Sequence, residues 1–526
     1  MPKFFLTTAI YYINARPHVG SASEAIVADV IARYHRLIGD EVYFSTGTDE
    51  HALKVVQEAE KQGLSTPDYV AKMAAEWRDI WDRLGVSYDR FIQTSEPAHH
   101  QAVTAVFRRL HAHGDLYWDT YEGWYCVGCE SYLTEADLDM STDPPRCPIH
   151  GPVQRVQEDA YFFRTSAYAQ RILDHIAAHP EFIQPDFRRN EVVAFIERGL
   201  RDTCITRKGA WGVPVPPELP NAAGNVIYVW FDALIDYLTV VGFAQDDAQF
   251  ARLWPPDLQL VGKDILPRFH ASIWPAMLLA AELPLPRTIF GHGFWQMGGE
   301  KISKSRGDLV GPIEVADDLA TRTGCRFELA VDALRYFLCR EVPYGSDGDF
   351  TIEALDARYL ADLGNDLGNL LSRVVAMTQK YLDGRVPAPA ADGIAQTAAG
   401  TAAAYRAAMD RLAFDEALRA VWDYLRALNR YVDERAPWAL HKQGDTAALD
   451  AALGTLWEGI RIAACLVQPV MPNTAQHLAR QLGWDAEWTW PRVQWGGATA
   501  GARVNPGAVL FPRIESAHNP VPVTAG

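Results

Sequence analysis

Two lysines and two serines stand within five residues in Lys301, Ile302, Ser303, Lys304 and Ser305, between a Gly-Gly pair and Arg306-Gly307. Ammonium groups flanked by hydroxyls on a flexible loop suit a triphosphate, whose leaving pyrophosphate gains charge in the transition state. Read blandly, the same run is a solvated basic turn. Far upstream, Pro17, His18, Val19, Gly20 and Ser21 fall between a strand pattern and a helix pattern. Backbone N–H groups and the helix dipole favour a phosphate at such a place. His18 can donate to phosphate oxygens, and Gly20 admits a flat ring close to the backbone. Ser21 has a second explanation as a helix N-cap, with Glu24 completing a capping box. A third group, Thr48, Asp49, Glu50 and His51, ends the run STGTDEH. Finally, Cys126-x2-Cys129 is followed after 17 residues by Cys147-x2-His150, the spacing of a four-ligand zinc knuckle. Four protein ligands leave no open position, so that metal would be structural.

The elements that must position these groups follow from periodicity. KFFLTTA reads as a short buried strand, and Val27, Val30, Ile31, Tyr34, Leu37 and Ile38 recur at helical spacing before Gly39 stops the helix. The strand EVYFST comes next and delivers GTDEH to its carboxyl end, where open parallel sheets build ligand crevices. VIYVW, LQLVG and TIFGHGF each hand over to a helix or loop, so the chain is α/β. Residues 115–225 lose this alternation, hold the Cys/His cluster and the Pro-rich WGVPVPPELP, and read as an insertion. Beyond about Asp349 the pattern is helical, with a break at DGRVPAPAADG, and from Gly496 onward it reads as a loosely structured tail.

The whole chain has 526 residues, 49 basic and 66 acidic, for a net charge of −17, and 48% are hydrophobic. This is a core-forming composition of two to four domains, and it excludes disorder. The acid excess excludes a generic polyanion binder, so nucleic acid would be held locally. In 401–442, seven basic residues meet six acidic ones, so the helical region sheds the overall acidity without becoming a basic patch. No apolar run reaches membrane-spanning length, and Phe4 to Ile13 leads into Asn14, Arg16 and Pro17 without a cleavage pattern. Seven cysteines, three of them in the knuckle, argue against a disulfide framework and for a reducing cytoplasm.

The pairing of PHVGS with KISKS at opposite ends of one α/β core resembles the two ATP-gripping signatures of class I aminoacyl-tRNA synthetases. IYYINARPHVG, TGTDEH, YVWFDAL, GKDI and KISKSRG occur in the order seen in methionyl-tRNA synthetases, over roughly Lys3 to Phe511. The resemblance implies a Rossmann-like parallel-sheet catalytic domain in two halves (1–114 and 226–290), split by a one-knuckle connective insertion (115–225). A stem-contact region with the KISKS loop (291–348), an all-α anticodon-binding domain (349–495) and a tail (496–526) would follow. It implies ATP with Mg²⁺ as substrate on His18, Gly20, Ser21, Gly293, Lys301, Ser303 and Lys304, with His18, Ser21, Lys301 and Lys304 stabilising the transition state. It places methionine at Ile10, Tyr12, Asp49, Trp230, Ala233, Tyr237, Ile265 and His270. The residue types agree: Asp49 suits an ammonium group, and Tyr12, Trp230 and Ile265 suit a thioether. Zinc would sit on Cys126, Cys129, Cys147 and His150. Asn369 and Arg373, four apart on one helix, and Trp438 match the positions that read the anticodon. An Asn, an Arg and a Trp are tools for unstacked bases, although a paired polar face and a packed Trp explain each one singly. The implied partner is tRNA(Met), initiator included, and the absence of a further evident module after Phe511 implies a monomer.

Three departures stand out. Ser21 replaces the second signature histidine, Ala52 replaces a glycine, and GKDILPRFH is one residue longer than the pattern, with Pro267 the extra residue. Ile302 for Met conserves volume. A diverged tRNA-binding protein without ligase activity, and a ligase for another apolar amino acid, are the alternative readings.

Overall fold

The structure, a computed structural model, describes residues 2–128, 131–133, 135–148, 151–297, 300–301, 311–390, 392–497 and 502–514. Its centre is a seven-stranded sheet in which all pairings are parallel. Lys3–Thr8 lies in the middle, with Leu258–Gly262, Ile289–His292 and Ile183–Gln184 on one side. On the other side Glu41–Asp49 pairs with it and carries both Tyr11–Tyr12 and Arg90–Gln93. The chain leaves Lys3–Thr8 in one direction, through the helix Val19–Ile38 to Glu41–Asp49. It leaves Leu258–Gly262 in the other, to Ile289–His292. The carboxyl ends of Lys3–Thr8 and Leu258–Gly262 therefore form a topological switch point, where such sheets leave a crevice for ligands.

Within 115–225, Leu116–Cys126 pairs antiparallel with Gln154–Phe163 along ten positions, flanked by Ser131–Leu133 and Thr203–Cys204. One segment of this stretch, Ile183–Gln184, is an edge strand of the parallel sheet, so the chain returns to the main sheet before residue 225. Trp295–Met297 forms a small sheet with Glu300–Lys301 and Gly348–Asp349. From Ile352 on, the chain is helical, and DGRVPAPAADG separates Asn369–Leu382 from Gly393–Met409 as the periodicity predicts. The tail differs from its sequence reading. Val504, Leu510 and Phe511 are buried, the Val504 N–H donates to the Gly384 carbonyl, and the Tyr359 hydroxyl donates to the Pro512 carbonyl. Phe511 meets Tyr359 edge-on at 5.7 Å, so an aromatic contact helps to seat this Pro- and Gly-rich segment.

One large core runs through the parallel sheet and the helical region. At their seam, fully buried Arg335 bonds Asp29 at 2.5 Å, with Arg33 and Ser87 on the same carboxylate. The same Arg335 nitrogen also donates to the Pro469 carbonyl, and the other two donate to the carbonyls of Val470 and Leu84. Burial alone would raise the Asp29 carboxyl, but these cations and the serine bring it down to about 2. Among the described residues, no helix is long and apolar enough to cross a membrane.

Candidate active site

The PHVGS loop closes the first helix in an unexpected way. His18, with extended backbone after Pro17, is the N-cap of Val19–Ile38, and its Nδ1 accepts from the N–H groups of Gly20 (3.0 Å) and Ser21 (3.3 Å). Ser21 is the third helical residue, and its hydroxyl accepts from the His18 N–H at 3.0 Å and donates to the His18 carbonyl at 2.9 Å. The capping box expected at Ser21 and Glu24 is thus three residues earlier, because the imidazole reaches the first-turn amides and serves as the cap. Two consequences follow. The amides of Gly20 and Ser21 are spent on His18 rather than offered to a phosphate, and the Ser21 hydroxyl holds the loop. With a lone pair needed on Nδ1, the neutral ring carries its proton on Nε2, the nitrogen that would donate to a phosphate. A Cβ on Gly20 would lie 2.8 Å from the ring, so this glycine makes room for the histidine.

Behind the loop, Glu24 accepts from Tyr11 at 3.1 Å and pairs with His292 at 2.6 Å. Burial would lower the His292 imidazole, but Glu24 outweighs it and raises it. Gly293 follows, and a Cβ there would strike the Ser346 backbone at 2.3 Å, so close chain approach alone demands glycine. Lys301 ends the Glu300–Lys301 strand, its backbone in register with Gln296. Ser303 and Lys304 lie outside the described residues.

The proposed amino-acid residues gather at the switch point. Tyr12 and Asp49 are in register on neighbouring strands, and Asp49 is 3% exposed. The Tyr12 ring meets Trp230 edge-on at 5.9 Å, and Trp230 stacks on Phe269 at 3.8 Å. Tyr237 and His270 bond at 2.8 Å, both buried; Ala233 is also buried, and Ile10 and Ile265 are half-buried against the main core. Burial brings the His270 imidazole down to about 4, against the Ile265 carbonyl and Asp264, so it is uncharged near neutrality. The extra residue Pro267 has a local solution. Leu266–Ile273 is wound as a π-helix, which fits one more residue into a helix between fixed ends and so keeps His270 on Tyr237.

Sequence reading missed a buried relay beside this pocket. Asp232 binds His51 Nδ1 at 2.5 Å and His99 Nε2 at 2.7 Å, and His99 Nδ1 sits 2.9 Å from Thr239. Burial would raise the Asp232 carboxyl, but the two imidazoles hold it well below the usual carboxylate range. Trp211, from the Pro-rich stretch, donates to the Glu50 carbonyl at 2.7 Å and so ties the insertion to this corner. Phe269 was also missed. Its signal was the aromatic beside His270, but which face of a π-helix it occupies is not a local property.

At the far end of the antiparallel sheet, Cys126 and Cys147 are drawn with Leu133 and Val153 into a small buried cluster apart from the main core. Cys129 and His150 lie outside the described residues. In the helical region Asn369 opens the helix Asn369–Leu382, and Arg373, one turn on, donates to Asp433 at 2.7 Å. Trp438, at the start of Pro437–Gln443, is 44% exposed.

The family profile described as tRNA synthetases class I (M) matches residues 4–142 and 138–375, and that of the anticodon binding domain of methionyl tRNA ligase matches 383–520. The methionine–tRNA ligase of Caldanaerobacter subterraneus is 43% identical over 525 residues, covering 97% of this chain and 79% of its own. The chain belongs to the methionyl-tRNA synthetases. The Thermotoga maritima methionine–tRNA ligase is similar at 39%, over 98% of this chain and 81% of its own. Among solved structures of the family, the Mycobacterium tuberculosis methionyl-tRNA synthetase in complex with methionyl-adenylate shares 41% identity. It has a TM-score of 0.90 over 98% of this chain and 100% of that one. Its free-state form scores 0.82, at 39% identity over 98% of this chain and 99% of that one. The Rossmann-like parallel sheet and the helical carboxyl-terminal domain expected from the sequence are those of this family.

Proposed function

We propose that the chain performs its family's reaction at the switch-point crevice. The methionine carboxylate attacks the α-phosphate of ATP and pyrophosphate leaves, then a terminal ribose hydroxyl of tRNA(Met), initiator included, takes the methionyl group and AMP leaves. No side chain forms a covalent intermediate; catalysis is positioning and charge stabilisation. Asp49 pairs with the substrate ammonium, and Tyr12, Trp230, Ala233, Ile10 and Ile265 enclose the thioether. Tyr237 orients a neutral His270 at the pocket floor. His18 through Nε2, with Lys301, Ser303 and Lys304, stabilises the phosphates, and Mg²⁺ arrives with ATP. Ser21 and Gly20 act by holding His18, and Gly293 by letting two chain segments meet. The observation that carries this reading is the convergence of Tyr12, Asp49, Trp230, Tyr237 and His270, from four separate segments, on the carboxyl ends of the central strands.

Cys126 and Cys147, already gathered, would hold a structural zinc with Cys129 and His150, contributing roughly 10 kcal/mol or more to ordering the insertion. Asn369, Arg373 and Trp438 would read the anticodon. The boundaries 1–114, 115–225, 226–290, 291–348, 349–495 and 496–526, a monomer and a cytoplasmic location complete the reading. Amino-acid-dependent ATP–pyrophosphate exchange with a panel of amino acids tests it. Exchange with methionine is expected. Its absence from folded, zinc-loaded protein would mean a diverged tRNA-binding protein, and exchange with another apolar amino acid would reassign the pocket.

A further inference from the structure

The segments that carry the proposed amino-acid pocket are tied together by one carboxylate. Asp232 stands in the short helix Val229–Ala233, between Trp230 and Ala233. Its Oδ2 lies 2.5 Å from Nδ1 of His51, two residues beyond Asp49. Its Oδ1 lies 2.7 Å from Nε2 of His99, on the helix Pro97–Ala112. His99 reaches on to the next short helix, Asp236–Thr239, where its Nδ1 is 2.9 Å from the Thr239 hydroxyl, two residues beyond Tyr237. Asp232 and His99 are 0% exposed, with both carboxylate oxygens and both ring nitrogens of His99 engaged. His99 therefore acts on the pocket through Asp232 and Thr239.

The strand end is braced independently. The Glu50 carboxylate accepts from the Thr48 hydroxyl at 2.7 Å and from Gln93 at 3.0 Å, and the Glu50 N–H donates to Thr94 at 2.9 Å. With that end fixed, the bond from Asp232 to His51 governs where Trp230 and Ala233 stand relative to Asp49. A buried carboxylate tolerates little displacement of its donors, since a lost bond leaves its charge uncompensated in the interior. A thioether makes no strong hydrogen bond that could correct a misplaced wall, so methionine binding depends on this spacing.

We propose that Asp232 is a positioning residue for methionine: its carboxylate, held by His51 and His99, sets the spacing between Asp49 and the helices bearing Trp230, Ala233 and Tyr237. The inference rests on the methionine pocket of the proposed function and extends it to His99, a residue with no exposed surface.

The test is methionine-dependent ATP–pyrophosphate exchange by the full chain, with KM measured separately for methionine and ATP and with folding followed by thermal melts. Asp232→Asn keeps the size but sets an NH2 group against one of two donating rings, and His99→Ala removes one ring. Both are expected to raise the KM for methionine about tenfold to a hundredfold, the effect of a misplacement of about 1 Å, and to leave that for ATP within about twofold. His99→Gln, whose amide N–H can replace Nε2–H, should hold the methionine KM within about threefold of wild type. A merely structural role would lower the melting temperature and the amount of active enzyme, without a rise confined to the methionine KM. A parallel change in both KM values, or a His99→Gln no better than Asp232→Asn, overturns the proposal, and neither reading requires His99→Ala to fold. Trp230→Ala separates this proposal from the pocket it rests on. An unchanged methionine KM there refutes the pocket itself, whereas a raised one, with Asp232→Asn and His99→Ala at wild-type values, refutes only the role of Asp232.

Discussion

The amino-acid end of the crevice and the outer face of the helical domain use similar residues in opposite states. In the crevice, Asp49, Tyr237 and His270 are buried, and Trp230 is stacked on Phe269 and met edge-on by Tyr12. On the helical domain Trp438 is 44% exposed, and Arg373 pairs with the exposed Asp433. A thioether offers no strong hydrogen bond, so its recognition requires enclosure and dry aromatic walls. A base in an RNA loop arrives already attached to a large polyanion, so its stacking platform has to stand in solvent. Burial thus separates a tryptophan suited to methionine from one suited to RNA, although the sequence shows two tryptophans of equal standing.

The strongest challenge to treating the regions separately is to cut their seam. Arg335→Ala leaves buried Asp29 without one of its two guanidinium partners and three carbonyls without their donor, and a loss of about 3–5 kcal/mol in urea unfolding is expected. Unchanged stability would show that the two regions are coupled elsewhere. Asp49→Asn sharpens the crevice side, with methionine kcat/KM expected to fall by about 2–5 kcal/mol, roughly thirtyfold to several thousandfold. A fall of similar size in adenylate formation is expected for Lys304→Ala, with methionine binding near normal by calorimetry. Trp438→Ala should raise the KM for tRNA by about 1–3 kcal/mol while sparing pyrophosphate exchange. Equal loss in both assays would point to misfolding instead. The smallest effect is expected from Asp433→Asn, which releases Arg373 from an exposed ion pair worth about 0.2–1 kcal/mol. Tighter tRNA binding, most visible at low salt, is the expected outcome.

Much of the fold was legible because it is written locally. The helix from Val27 to Ile38, the strand ending in GTDEH and the interhelical break at DGRVPAPAADG each appear where periodicity places them. The proposed site was legible where short motifs carry it, in PHVGS, TGTDEH and YVWFDAL. Three features escaped for one reason, that their partners are chosen in space. His18 displaced Ser21 as the cap because a ring nitrogen reaches two amides at once. The tail was read as loose because its Pro and Gly residues give no periodic signal, whereas its seat is made in space by Tyr359 against Phe511 and Pro512. Asp232 looked like a helix residue until His51 and His99 arrived from far upstream.

The sequence by itself determined the order of strands and helices, the Cys/His spacing and the residue types of the proposed pocket, since each depends on neighbours within a few positions. The net charge of −17 belongs with these. Only the tertiary structure decided which buried carboxyl groups are held ionised. Asp29 and Asp232 are held low by groups brought from other elements, while Asp236, only four positions from Asp232, is raised by burial, and its Oδ2 has no hydrogen-bond partner among the described residues. Charge is compensated through space over a few ångströms, and the chain alone does not say which side chains will be that close.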